Sequence, residues 1–159
     1  MSRKVAYVTG ASRGIGAEAA VALAVAGYDV ALTARTLAEG EIHGYLGKDI
    51  ALPGSLEATA AAVRRSGTEA LCLQADILDE SSVLASARGA LDHFGRVDLL
   101  FNNAVYQGPG NQQKVLDVSH EQVNAIYQGN VFSPLALVQA FLPGMLQRGS
   151  GTILNMVSH

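Results

Sequence analysis

Between the run KVAYVT, residues 4 to 9, and the alanine-rich stretch that begins near residue 14, the chain reads TGASRGIG, Thr9 to Gly16. Three glycines at a strand-to-helix junction leave a short list of folds. Gly10 lets the chain turn, Gly14 allows a close approach by phosphate oxygens, and Gly16 lets the helix pack against a sheet. The N-terminus of that helix then faces an anion, because its first N–H groups have no partner within the helix. By itself a glycine triplet is often no more than a tight turn. Placed after the first strand of a βαβ unit it becomes a dinucleotide-binding signature.

The rest of the chain supplies that context. Short β-branched runs alternate with alanine-rich helical periods, the pattern of βαβ units and a parallel sheet. Strands are expected near 4 to 9, 28 to 34, 69 to 75, 97 to 102 and 151 to 157, and helices near 14 to 26, 55 to 66, 80 to 94 and 119 to 147. Gly27 closes the first helix and Ser55 is an N-cap for the second. Residues 36 to 54, TLAEGEIHGYLGKDIALPG, have no periodicity and read as a surface loop. Right-handed crossovers then give strand order 3-2-1-4-5, with the first two helices on one face and the last two on the other. The expected architecture is a three-layer α/β/α, doubly wound parallel sheet, one domain over residues 1 to 159, with a crevice above the carboxyl ends of strands one and four.

Composition excludes several alternatives. With 49% hydrophobic and 16% charged residues, the chain is globular rather than disordered. Its net charge of −3 and lack of a basic run argue against a nucleic-acid partner, and Arg64-Arg65 reads as a solvated face. The single cysteine, Cys72, lies in the apolar run ALCLQAD and reads as an inert core thiol in a reducing compartment. The histidines at 43, 93, 120 and 159 lack metal-ligand spacing, so no metal is expected, and His93 complements the dipole at a helix end. Asp98 reads as a structural hydrogen-bonder. No uninterrupted apolar stretch approaches a membrane span, and MSRKVAYVTG turns glycine-rich too soon for a signal peptide, so no membrane is expected and the default location is cytoplasmic.

The glycine spacing is G-x-x-x-G-x-G, not G-x-G-x-x-G, and it resembles the T-G-x-x-x-G-x-G motif of the short-chain dehydrogenase/reductase family. Further motifs follow in order. Asp76, with Ile77 after it, resembles the family's adenine-contacting aspartate after strand three. The run Asn102-Asn103-Ala104-Val105 resembles its N-N-A-G beneath the cofactor, with valine where the family usually has glycine. NVFSPLALVQAFLPGM places Asn130 on the active-site asparagine, and GTILNMVS places Ser158 on the catalytic serine. The resemblance implies a Rossmann-type fold, a nicotinamide cofactor held by Gly10, Ser12, Arg13, Gly14, Ile15, Gly16, Arg35, Asp76, Ile77, Asn103 and Ala104, and a small carbonyl or alcohol substrate. It also implies a homo-oligomer built through helix four.

Strand two bears on the choice of cofactor. A protein of this type that prefers NAD carries an acid at the strand's end for the ribose 2′-hydroxyl, and here that position is Ala34. Arg35 follows, and Arg13 sits in the glycine loop. Two guanidiniums beside a missing carboxylate suit a 2′-phosphate, so NADP(H) is expected.

In the family a tyrosine, with a lysine four residues later, completes the site. None of the five tyrosines here, Tyr7, Tyr28, Tyr45, Tyr106 and Tyr127, has a lysine at that spacing. The expectation is a chain truncated before that helix, incomplete at its C-terminal side and inactive alone. Pro134 should kink helix four or mark a turn after Asn130. The competing readings are a non-catalytic nucleotide-binding or regulatory Rossmann protein, and another doubly wound binder such as a methyltransferase, which the two arginines disfavour.

Overall fold

The computed structural model describes residues 3–45 and 48–157. In chain order its strands are β1 (Val5–Thr9), β2 (Asp29–Ala34), β3 (Ile42–Tyr45), β4 (Lys48–Ala51), β5 (Ala70–Gln74), β6 (Leu99–Asn102) and β7 (Thr152–Asn155). Its α-helices are α1 (Gly14–Val25), α2 (Leu56–Arg64), α3 (Glu80–Phe94), α4 (His120–Tyr127) and α5 (Ser133–Arg148).

Every residue of β1 is buried, as expected of a strand with neighbours on both edges and helices on both faces. It sits at the centre of a five-stranded sheet in the order β5-β2-β1-β6-β7. All four pairings are parallel, with Val5 beside Asp29, Ala6 beside Leu99, Val30 beside Ala70 and Leu99 beside Thr152. This is the doubly wound, Rossmann-type order read from the crossovers.

The two-residue period of β1 divides the core. Ala6 and Val8 point to one side, packing with Ala20 and Ala24 of α1 and Leu56, Ala60 and Val63 of α2. Val5 and Tyr7 point to the other, with Val83, Ala87 and Ala90 of α3 and Leu137, Phe141 and Met145 of α5. Gly16, Ala20 and Ala24 recur every fourth residue on the buried face of α1, so nothing larger than a methyl group keeps that helix off the sheet. Ser55 caps α2 by accepting the Ala58 N–H at 3.1 Å, and Asp79 caps α3 through the N–H groups of Ser81 and Ser82.

Three expectations need correction. Residues 42 to 51, read as part of an irregular loop, form the antiparallel pair β3 and β4, with Ile42 opposite Ala51 and Tyr45 opposite Lys48. The glycines that suggested a loop are compatible with a hairpin, whose pairing depends on main-chain geometry more than on composition. The helix expected over 119 to 147 is two helices joined by a π-turn at Gln128–Phe132. Pro134, at the start of α5, has no N–H for the carbonyl of Asn130, and the wider turn relieves the clash of its ring. Finally, the run His120–Arg148, 29 residues, is long and apolar enough by length and composition to cross a bilayer. Here one face of it is core: Ala136, Leu137, Phe141 and Met145 are buried, and the Phe141 ring lies 4.8 Å from that of Tyr7.

Candidate active site

The site is built from strand ends. At the carboxyl end of β1, Thr9 Oγ1 accepts the N–H groups of Asn103 and Ala104, both at 2.9 Å, and donates to the Phe101 carbonyl at 3.3 Å. Asn103, just past the end of β6, answers: its Nδ2 donates to the Thr9 carbonyl at 2.9 Å and the Gly10 carbonyl at 3.4 Å. The two strands on either side of the crevice are thereby stitched together where the chain order reverses.

The glycine loop follows. Gly10 has φ +65°, and Gly16 is under the tightest constraint, since a Cβ there would lie 2.2 Å from the Gly10 carbonyl oxygen and 2.6 Å from Asn103 Nδ2. Gly14, by contrast, has nothing within 4 Å of a notional Cβ, so the first turn of α1 is open to a ligand. Together these form a cradle at a helix N-terminus, whose first N–H groups have no partner within the helix, with no side chain crowding Gly14, the arrangement a pyrophosphate requires.

Above the loop is a cleft of about 1110 Å³. Gly10, Ser12, Arg13, Gly14, Ile15 and Arg35 line one part of it, and Asp76, Ile77, Asn103 and Ala104 line another, so these sequence-selected residues are brought to one space. Gly16 lies beneath the lining as a packing residue. Asp76 follows β5, its Oδ1 accepting the Leu78 N–H at 2.9 Å, and Ile77 is held through its carbonyl by Ser133 Oγ at 2.6 Å. Ala34 and Arg35 stand at the end of β2, and Gln74 Nε2 donates to the Arg35 carbonyl at 2.7 Å.

Asn130 lies in the π-turn, behind the lining. Its Oδ1 accepts the Tyr106 N–H at 2.7 Å and its Nδ2 donates to the Tyr106 carbonyl at 3.3 Å. This side chain fixes the loop that leaves β6 and carries Val105 and Tyr106 along the cleft. Val105, in the family's glycine position, is 57% exposed on the rim. Ser158 lies outside the described residues.

Several wall residues were missed in the sequence: Thr36, Leu52, Pro53 and Tyr106. Leu52 and Pro53 belong to the segment read as surface loop, and only its return against the glycine loop brings them in. The adjacency of Tyr106 to the N-N-A-V motif was the one available signal for it.

Other titratable groups are occupied structurally. Asp98 is buried and accepts the Val5 N–H at 2.9 Å and two bonds from Arg96 at 2.8 and 2.5 Å, with Arg148 at 3.7 Å. Burial would raise its carboxyl, but the Arg96 bonds, the Val5 N–H and the charges of Arg96 and Arg148 outweigh that and hold it below the ordinary carboxylate range. Burial pushes the Cys72 thiol up, and its Sγ donates to the Leu56 carbonyl at 3.5 Å, as befits an unreactive core thiol. His93 Nε2 lies 2.6 Å from Glu69, on the outside of the sheet.

Comparison with known proteins agrees with this geometry. The family model for short chain dehydrogenases matches residues 4–159. The uncharacterized oxidoreductase YhdF of Bacillus subtilis is 31% identical over 150 residues, 94% of this chain and 46% of that protein. The 3-oxoacyl-(acyl-carrier-protein) reductase FabG of Staphylococcus aureus is 30% identical over 155 residues, 98% of this chain and 56% of that one. A crystal structure of a metagenomic short-chain oxidoreductase in complex with NADP superposes with a TM-score of 0.79 at 33% identity, covering 98% of this chain and 62% of that one. The chain thus spans about half the length of the curated relatives it matches. Glycine spacing, strand order and a family match over nearly every residue agree, and the chain belongs to the short-chain dehydrogenase/reductase family.

Proposed function

We propose that residues 1 to 159 form a dinucleotide-binding domain that takes NADP(H), in an oxidoreductase acting on a carbonyl or alcohol. The observation that carries the cofactor choice is the end of β2, where Ala34 and Arg35 line the same cleft as Arg13, with no acid at the position that would take a ribose 2′-hydroxyl. The structure complexed with NADP at 33% identity supports the same choice.

The glycine loop and the open first turn of α1 receive the pyrophosphate, Asp76 and Ile77 flank the adenine, and Asn103 and Ala104 support the inner end. Arg13 and Arg35 bring positive charge to the 2′-phosphate. When bound, the nicotinamide supplies a hydride acceptor or donor. This chain's own contribution is to orient it, with Thr9 and Asn103 fixing the floor and Asn130 the loop beside it. By the family resemblance, Asn130 holds a water in the proton relay and Ser158 polarises the substrate oxygen. A cytoplasmic location and a small-molecule substrate complete the reading.

Titration with NADPH and NADH tests it. NADPH binds at least about ten-fold more tightly, since one charge-assisted phosphate contact is worth roughly 1.5–3 kcal/mol, and Arg35→Ala loses affinity for NADPH selectively. Equal affinities in the parent chain sink the cofactor assignment. Because no tyrosine within residues 1 to 159 has a lysine four positions on, this chain alone binds nucleotide without reducing carbonyls above background. Robust turnover by the purified chain overturns that expectation.

A further inference from the structure

The guanidinium of Arg13 does more than face the cleft. Its Nε donates to the Pro53 carbonyl at 2.9 Å, and its Nη2 donates to Thr36 Oγ1 at 3.0 Å, the Gly54 carbonyl at 3.0 Å and the Leu52 carbonyl at 3.3 Å. Every one of these acceptors is neutral. Among the described residues no carboxylate pairs with Arg13, and its Nη1 makes no hydrogen bond. The result is a half-buried cation whose Nε and Nη2 are committed to neutral acceptors, three main-chain carbonyls and the Thr36 hydroxyl, with no ion pair among the described residues.

The segment it holds rests directly on the glycine loop. Gly54 has φ +95°, and a Cβ there would lie 2.6 Å from the Ser12 carbonyl oxygen and 3.1 Å from Arg13 Cβ. The Gly54 N–H donates to the Glu39 carboxylate at 3.1 and 3.2 Å. Just beyond, Thr59 Oγ1 of α2 donates to the Ala11 carbonyl at 2.8 Å. Leu52 and Pro53 therefore wall the end of the cleft that Arg13, Arg35 and Thr36 also line.

We infer that Arg13 is a positioning residue that holds Leu52–Gly54 as the wall of the cofactor's 2′-phosphate end, and that a 2′-phosphate bound at its open edge tightens this wall. A guanidinium is planar, so an anion fixing one edge fixes the orientation of the other. A guanidinium–phosphate bond, ionised on both sides, is stronger than the guanidinium's bonds to neutral carbonyls, so it anchors the plane from which Leu52, Pro53 and Gly54 hang. NAD(H), without that phosphate, leaves the plane as it is. By linkage, the wall strengthens NADP(H) binding by the same factor as NADP(H) strengthens the wall. Arg13 then sets specificity through main-chain order as well as charge. The inference rests on the NADP(H) reading above.

Hydrogen exchange of the Leu52, Gly54 and Ser55 amides in the full chain, free and saturated with NADP⁺ or NAD⁺, tests it alongside binding titrations. NADP⁺ slows exchange there by about ten-fold relative to NAD⁺. In Arg13→Lys, which keeps the charge but lacks the second edge, NADP⁺ still binds more tightly than NAD⁺ and its extra slowing is lost. Equal slowing by the two nucleotides in the parent chain overturns the inference, whether or not the variant folds. So does slowing specific to NADP⁺ that persists in a folded Arg13→Lys. If the parent shows no preference for NADP⁺ in the titration, the cofactor reading fails and this inference with it. Preference without differential slowing removes the inference alone.

Discussion

Among single residues, Asp98 and Tyr7 show how burial alone does not decide what an ionisable group does. Asp98 is 6% exposed yet charged, because the Val5 N–H and Arg96 Nε meet its Oδ2 while Arg96 Nη2 and the more distant Arg148 meet its Oδ1. Its pKa is lowered on folding, so it contributes stability at pH values above the unfolded carboxylate's, about 3.9, and that contribution is lost as pH falls through the folded value. Asp98→Asn should cost about 1–3 kcal/mol near neutrality, between the values for an exposed and a fully buried pair because both arginines are partly solvated. Denaturant melts of both proteins at neutral pH and below pH about 4 check this, with the gap narrowing in acid. Tyr7 goes the other way. Burial pushes its hydroxyl up to about 12, against a bond to Ser86 at 2.5 Å. A raised value means stability fully present below the ordinary tyrosine pKa of about 10 and lost as pH climbs from there toward 12. Tyrosinate absorbance should show a late component that Tyr7→Phe abolishes.

For the elements, the informative features are those where one piece of secondary structure ends. Ser55 is buried and closes the N-terminus of α2 while the preceding residue presses on the glycine loop. Ser55→Ala should destabilise by about 1 kcal/mol, read as a shift in urea midpoint without change of slope. The π-turn at Gln128–Phe132 has a different consequence. It turns Asn130 so that both ends of its amide meet the Tyr106 backbone, which ties α5 to the loop leaving β6. Asn130→Ala should leave the Tyr106 N–H and carbonyl without that partner. The expected loss is about 1–2 kcal/mol, with faster hydrogen exchange at Tyr106 and little change in α3. Unchanged exchange at Tyr106 contradicts this account of the turn.

Across the whole molecule, the distribution of apolar surface is uneven. Val123, Tyr127, Val131 and Leu135 recur every fourth residue along α4, the π-turn and α5, and all are 38% exposed or more, with Phe132 beside them. Most of β7 is exposed too, and among the described residues it is the last strand of the sheet. A continuous exposed apolar stripe along two helices is a template for association. We propose that this flank is covered in solution by a second copy, through α4 and α5. Light scattering after size exclusion should give a dimer or larger species, and Tyr127→Glu with Leu135→Glu should shift it toward monomer. A monodisperse parent monomer with strongly protected β7 amides refutes the proposal.

How much of this was written in the chain differs by kind of interaction. The sheet order followed from alternating strand and helix periods and the handedness of crossovers, because those depend on hydrophobic pattern and backbone chirality, both local properties of a sequence. The glycine loop was legible for the same reason: Gly10 must turn, and Gly16 has no room for a side chain beside the Gly10 carbonyl. Pro134 announced a break in the helix, since a missing N–H is a property of one residue. What the tertiary structure alone decided are the contacts made by main-chain groups far along the chain. No residue type marks the carbonyls of Leu52, Pro53 and Gly54 as acceptors for Arg13, and none marks the Tyr106 backbone as the partner of Asn130. Every residue carries those same carbonyl and N–H groups, so which of them meet a given side chain depends on where the folded chain passes.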